Sequence, residues 1–319
     1  MPVFGYFVMV DWSGGNGRKS QRENCIWIAH GSITDQQPTV LSPHSRTEAT
    51  TSVRRVVYDF VKRDNGRVLV SFDFPYGYPS GFSTQPFLPP GGTLPPWQRV
   101  WAYLSQEIQD DITTPGKHLG VPTNRSNRFA VANKINRQLS HATTLGPFWC
   151  PDKPDVYSHI PQSKPRQPFQ PLSGVPINEY RITDRAANSD FPFRLFGQGS
   201  VGSQMLVGLP RLRQLRFDPQ LSDLSAAWPF ETGWATQDAI WDLGASRIIH
   251  AEIYPSVMKP LHDDILDRGQ VRALWQWARD QDRIGLLQNE FAVPPLLTAS
   301  PADEVLVRTE EGWILGAPR

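Results

Sequence analysis

An α/β fold built on a mixed central sheet is what this chain predicts, and three observations predict it. Val68–Phe72 is a continuous apolar run cut off by Pro75, which is how a strand covered on both faces reads before a residue that cannot extend a ladder. Phe4–Asp11 is a second such run, ending in a glycine-rich turn, and Arg247–Glu252 is a third, closed by Pro255. Each run ends on an acid: Asp73, Asp11 and Glu252. Open α/β sheets place their chemistry at carboxyl-terminal strand ends.

The remaining elements follow in order. After Asp11 the chain turns through Gly14, Gly15 and Gly17 and returns as Asn24–His30, a strand close enough to pair with the first as a hairpin. Pro38–Ser42 is a shorter third strand. Val53, Val56, Val57, Phe60 and Val61 recur at helical spacing, which predicts an amphipathic helix over about 50–63 that leads into the Asp73 strand. Between 80 and 244 the composition changes to Pro, Gly and Gln. Helical stripes at Trp97–Ile108 and Phe129–Leu139 are embedded there, an ordered loop runs over 147–176, and a glycine-rich turn at 197–204 precedes Arg211, Arg213 and Arg216. The expected organisation is a core of 1–79 and 245–319 with 80–244 as a large proline-rich helical insertion packed on it. A helix over 267–279 buries Val271, Leu274, Trp275 and Ala278, with Asp267 one turn earlier on that face. The tail at 310–316 reads as a turn and short strand.

Composition narrows the function classes. With 319 residues, 39% hydrophobic and 20% charged, the chain can bury a sizeable core. A net charge of +1 excludes a global electrostatic drive towards polyanions, so contact with nucleic acid must be local. Cys25 and Cys150 lie far apart and predict neither a disulfide framework nor a CxxC site, which fits a cytoplasmic location. No apolar stretch approaches the roughly 20 residues that span a bilayer, so no membrane partner is expected.

The acids carry the chemistry. A lone Asp at a strand end is often a turn former or helix cap. Three of them, joined by Asp267 from a facing helix, predict a shared divalent cation, because buried carboxylates need a partner. Carboxylates at adjacent strand ends suit Mg²⁺ or Mn²⁺ and phosphoryl transfer. The scattered histidines offer no zinc motif, and His250 reads as a strand residue. The ligand and catalytic set is therefore Asp11, Asp73, Glu252 and Asp267. Lys19, Arg128, Lys134 and Arg137 are the groups expected to contact the phosphates of a nucleic acid or other phosphate ester. Each of these cations is also open to a solvated or ion-paired role. Trp12 and Tyr76 are placed to stack on a base, with core packing as the alternative.

Asp11 on a first strand, Asp73-Phe-Pro-Tyr-Gly-Tyr-Pro and Glu252-Ile-Tyr-Pro resemble the D…DxPxGxP…ExxP pattern of the family known as domain of unknown function 429. The resemblance covers 3–78 and 247–280. It implies a ribonuclease H-like fold and nuclease activity, with a fourth acid on the helix after the last core strand, here Asp267. Related resolvases pair two Asp residues three apart at that point, whereas this chain has Gln270 as the second. The turn Gly14–Ser20 also resembles the first phosphate loop of actin-like kinases and ATPases, although only one set of core strands is present. A nucleotide-binding kinase or ATPase, and a non-enzymatic binding protein, are the alternatives to a metal-dependent phosphodiester hydrolase.

Overall fold

A computed structural model describes residues 1–319 except 18, 65, 91, 112–122, 142–143, 153–154, 191, 198–199, 237–240 and 319. It contains one six-stranded mixed sheet in the order β3-β2-β1-β4-β6-β5. β1 (Tyr6–Asp11), β2 (Trp27–Ser32) and β3 (Thr39–Leu41) form an antiparallel meander. β4 (Val68–Phe72), β6 (Ile248–Glu252) and β5 (Ser225–Ala227) continue the sheet in parallel from β1. All five residues of β4 and of β6 are buried, as continuous apolar runs covered on both faces should be.

Helices cover the two faces. α1 (Arg46–Arg63) starts a turn earlier than its apolar stripe suggests, because the Ser45 side chain accepts from Glu48 N and caps it. It packs on one face with α2 (Pro96–Glu107), α3 (Arg128–Leu139) and α5 (Gly202–Arg216), burying Val8, Val10, Val70 and Phe72. α6 (Leu266–Arg283) covers the other face over Phe7, Met9, Leu69 and Ala251. Its Val271, Leu274, Trp275 and Ala278 are buried, as their spacing predicts. The short helix α4 (Ile182–Ala187) lies between α3 and α5 in the chain. Three further short helices follow α6: α7 (Leu287–Glu290), α8 (Pro295–Thr298) and α9 (Pro301–Leu306).

Three features depart from the sequence reading. Residues 202–216, expected as the end of a turn followed by a cationic cluster, form the buried helix α5, while Gln198 and Gly199 of that turn lie outside the described residues. The segment expected to be wholly inserted supplies β5, an edge of the sheet. The tail contributes one parallel bridge, Ile314 to Glu252, after a π-helical turn at Val307–Glu311, rather than a strand. No helix among the described residues is long and apolar enough to cross a membrane.

Candidate functional site

β1 and β4 run parallel with Val10 opposite Phe72, so the next residues, Asp11 and Asp73, sit side by side at the carboxyl edge of the sheet. Backbone amides fix this junction. Asp73 N donates to Val10 O at 3.2 Å, and Trp12 N donates to Asp73 Oδ1 at 2.7 Å. Side chains alternate along a strand, so Asp11 shares the face of Phe7 and Met9, and Asp73 shares the face of Leu69 and Ser71. That is the face covered by α6. Asp267 stands in the first turn of α6, where its Oδ2 accepts from Asn24 N at 2.6 Å. The β1–β2 connection thus orients two acids, one from each of its ends.

The electrostatics follow from this crowding. Burial pushes the Asp11 carboxyl well above its ordinary value, and the charges of Asp73 and Asp267 push it further. Burial raises Asp73 to about 7; the Trp12 amide and its own amide oppose the rise, and the charges of Asp267 and Glu252 add to it. Asp267 is raised by burial against the Asn24 hydrogen bond. Among the described residues no Lys, Arg or His forms an ion pair with any of the three.

Glu252 stands apart. Its register partner is Phe72, so it projects on the face opposite to Asp11 and Asp73. There both its oxygens are taken by Arg181, Nη1 to Oε2 and Nη2 to Oε1, each at 2.6 Å, and Tyr76 N adds a bond to Oε2 at 3.0 Å. Arg181 also holds Asp184, Nη2 to Oδ1 at 2.7 Å, and all three residues are at most 2% exposed. Burial works against the Arg181 charge, but Asp184 and Glu252 outweigh it and raise its pKa. The expectation that Glu252 shares a cation with Asp11 and Asp73 is corrected accordingly: a bidentate guanidinium already satisfies it. Sequence reasoning missed Arg181, and only the short Arg181–Asp184 spacing at a helix start hinted at it. Nothing in the chain tied that pair to a strand 71 positions away.

Among the described residues no group of three or more His, Cys, Asp and Glu side chains forms a metal cage. The arrangement is a carboxylate pair with a third acid overhead. Hard oxygens in this number suit Mg²⁺, which keeps several waters and is typically held by one or two carboxylates plus substrate phosphates.

The basic residues are dispersed. Lys134 is paired with Glu107 at 2.7 Å, and Arg137 is exposed near the end of α3. Arg211 reaches Asp110 and Asp111, and Arg216 pairs with Glu231 at 2.6 Å. Lys134, Arg211 and Arg216 are therefore committed to carboxylate partners. Lys19 is exposed and lines a small cavity with Gly15, Asn24 and Cys25. Arg128 is buried beneath the glycine-rich turn, where Nη1 donates to Asn16 Oδ1 at 2.7 Å. Arg18 of that turn lies outside the described residues. Trp12 and Tyr76 are at most 1% exposed and pack in the core, which removes base stacking as their role. His250 bonds Ser225 Oγ at 2.8 Å inside the sheet, as a strand residue should.

No protein-family model, no curated protein and no solved structure matches this chain. The reading of function therefore rests on the acids and on the resemblance described above.

Proposed function

We propose that this chain is a divalent-metal-dependent phosphodiester hydrolase of the nuclease type with a ribonuclease H-like core. Asp11 and Asp73 are its metal ligands and Asp267 is the third acid of the site. The observation that carries the reading is the side-by-side placement of Asp11 and Asp73, both with raised pKa values and with no cationic side chain to neutralise them among the described residues. A polar group retained against such repulsion points to function more than to stability. A divalent cation held by Asp11 and Asp73 would supply the missing positive charge, lower the pKa of bound water and offset charge on phosphoryl oxygens.

The chain's own groups do the rest. Trp12 N and Asn24 N hold Asp73 and Asp267 in fixed orientations, so neither acid reorganises as charge develops. In the hydrolysis step the water oxygen bonds to phosphorus and the bond to the leaving oxygen breaks, the departing oxygen keeping the electron pair and taking a proton from solvent. The water proton passes to Asp267. Of the three acids in the family motif, Glu252 serves the fold by anchoring Arg181 and, through it, α4. Gln270 leaves the site with a single strong acid on α6, which favours one cation over two.

The test is Mg²⁺- or Mn²⁺-dependent cleavage of single- and double-stranded nucleic acids by the wild type and Asp73→Asn. Activity in the wild type that falls by at least about a hundredfold in the variant supports the reading. Equal activity in both overturns it.

A further inference from the structure

Arg128 is 6% exposed, yet among the described residues its guanidinium hydrogen-bonds only to neutral groups. Nε donates to Ser203 Oγ at 3.0 Å, and Nη1 donates to Asn16 Oδ1 at 2.7 Å and to Ser126 Oγ at 3.0 Å. Among the described residues no carboxylate is ion-paired with it. Arg46, also buried, is treated differently: Nη2 and Nε bond the two oxygens of Asp110 at 2.6 and 2.8 Å. Burial, reinforced by the charge of Arg46 and only partly opposed by that of Asp110, lowers the Arg128 pKa to about 10. A buried charge with no directly paired counter-charge is among the costlier arrangements a fold can retain.

The surroundings increase the deficit of negative charge. Arg128 is the first residue of α3, a helix with no acid in its first turn and no side-chain cap. Its partner Ser203 lies in the first turn of α5, which also lacks a first-turn acid and a side-chain cap. Both helix starts carry partial positive charge. Between them runs the glycine-rich turn. Gly14 approaches α5 so closely that a Cβ there would lie 2.8 Å from Gln204 N. The turn's carbonyls are drawn inward: those of Ser13 and Gly15 accept from Arg46 Nη1, and that of Gly17 accepts from Asn124 Nδ2.

We propose that Arg128 is the centre of a phosphoryl-anion site, formed where the glycine-rich turn meets the first turns of α3 and α5. The exposed Asn16 side chain covers the guanidinium with a neutral oxygen, and a phosphoryl oxygen displaces it. Anionic oxygens bond a guanidinium roughly twice as strongly as neutral ones do. The site goes beyond the hydrolase reading and stands without it.

Asn16→Asp is the decisive variant, because the existing 2.7 Å contact would give Arg128 a built-in counter-charge. Melting temperature is followed against inorganic pyrophosphate for the wild type, Asn16→Asp, Arg128→Gln and Asp73→Asn. The wild type is expected to show a saturable rise. Asn16→Asp is expected to melt higher without ligand and to bind pyrophosphate at least about tenfold more weakly, a loss of about 1.4 kcal/mol. Asp73→Asn is expected to bind like the wild type, which separates this site from the carboxylate pair. A parallel titration with a dinucleotide shows whether a bridging phosphodiester is taken as well as a terminal phosphoryl group. No rise in the wild type, or unchanged pyrophosphate affinity in Asn16→Asp, overturns the proposal. Should Arg128→Gln fail to fold, Asn16→Asp alone decides.

Discussion

Replacing Asp73 by Asn should make the metal-free protein more stable at pH 8, not less. Its carboxyl is raised from an ordinary value of 3.8 to about 7, chiefly by burial and then by the charges of Asp267 and Glu252. The sign follows from linkage. Between these two values the folded state holds a proton that the unfolded state has released, so stability falls as pH rises from about 4 to 7. Ionising the folded carboxyl over that interval costs roughly 4 kcal/mol as an upper limit, at about 1.36 kcal/mol per pH unit. Asn cannot ionise, yet its amide oxygen still accepts from Trp12 N, where Asp73 Oδ1 now accepts at 2.7 Å. The carboxyl of Asp11 also loses a neighbouring negative charge and ionises more easily. Urea denaturation of both proteins at pH 5 and pH 8, in chelator, measures the effect. The expected gain for Asp73→Asn is about 1–2 kcal/mol at pH 5, rising to about 2–4 kcal/mol at pH 8. A variant that is less stable than the wild type at pH 8, with an unchanged pH slope, would refute the electrostatic reasoning.

Glu252→Gln should behave in the opposite way. It leaves the Arg181 charge half-compensated inside the protein, so equilibrium unfolding should show a loss of about 3–5 kcal/mol, and a loss below about 1 kcal/mol would count against its structural role. Gly77→Ala should destabilise by several kcal/mol, because a Cβ there would lie 2.2 Å from Glu310 O and 2.5 Å from Glu311 O, both backbone atoms that cannot swing away. Its melting temperature is the readout, and a value like the wild type's would mean that this close approach relaxes freely. Lys134→Ala should change stability by less than about 1 kcal/mol, since its pairing with Glu107 is part-exposed, and should leave nucleic-acid affinity unchanged. A large loss of affinity in a binding titration would return Lys134 to the substrate path.

Parts of this architecture were legible in the chain and parts were not, for identifiable reasons. The ends of β1, β4 and β6 could be placed because proline or glycine cuts off each apolar run, and the inward face of α6 because its stripe keeps a helical period. The face on which Glu252 projects could not be read. It depends on Phe72 being the register partner, a long-range pairing that a one-residue slip would reverse. α5 was hidden because it is buried nearly all round, with Gly208 and Pro210 inside it, so no amphipathic contrast marks it. β5 has only three residues, Ser225–Ala227, none of them β-branched or aromatic. The arginines at 211 and 216 looked like a cationic cluster because their partners, Asp110, Asp111 and Glu231, lie elsewhere in the chain.

The direct measurement of the central claim is calorimetric titration of Mn²⁺ at pH 7.5 into the wild type, Asp11→Asn and Glu252→Gln. A single site that is weakened at least about tenfold by Asp11→Asn and preserved in folded Glu252→Gln is the predicted result. Mn²⁺ binding that survives Asp11→Asn intact, or that disappears with Glu252→Gln while the protein remains folded, would contradict it.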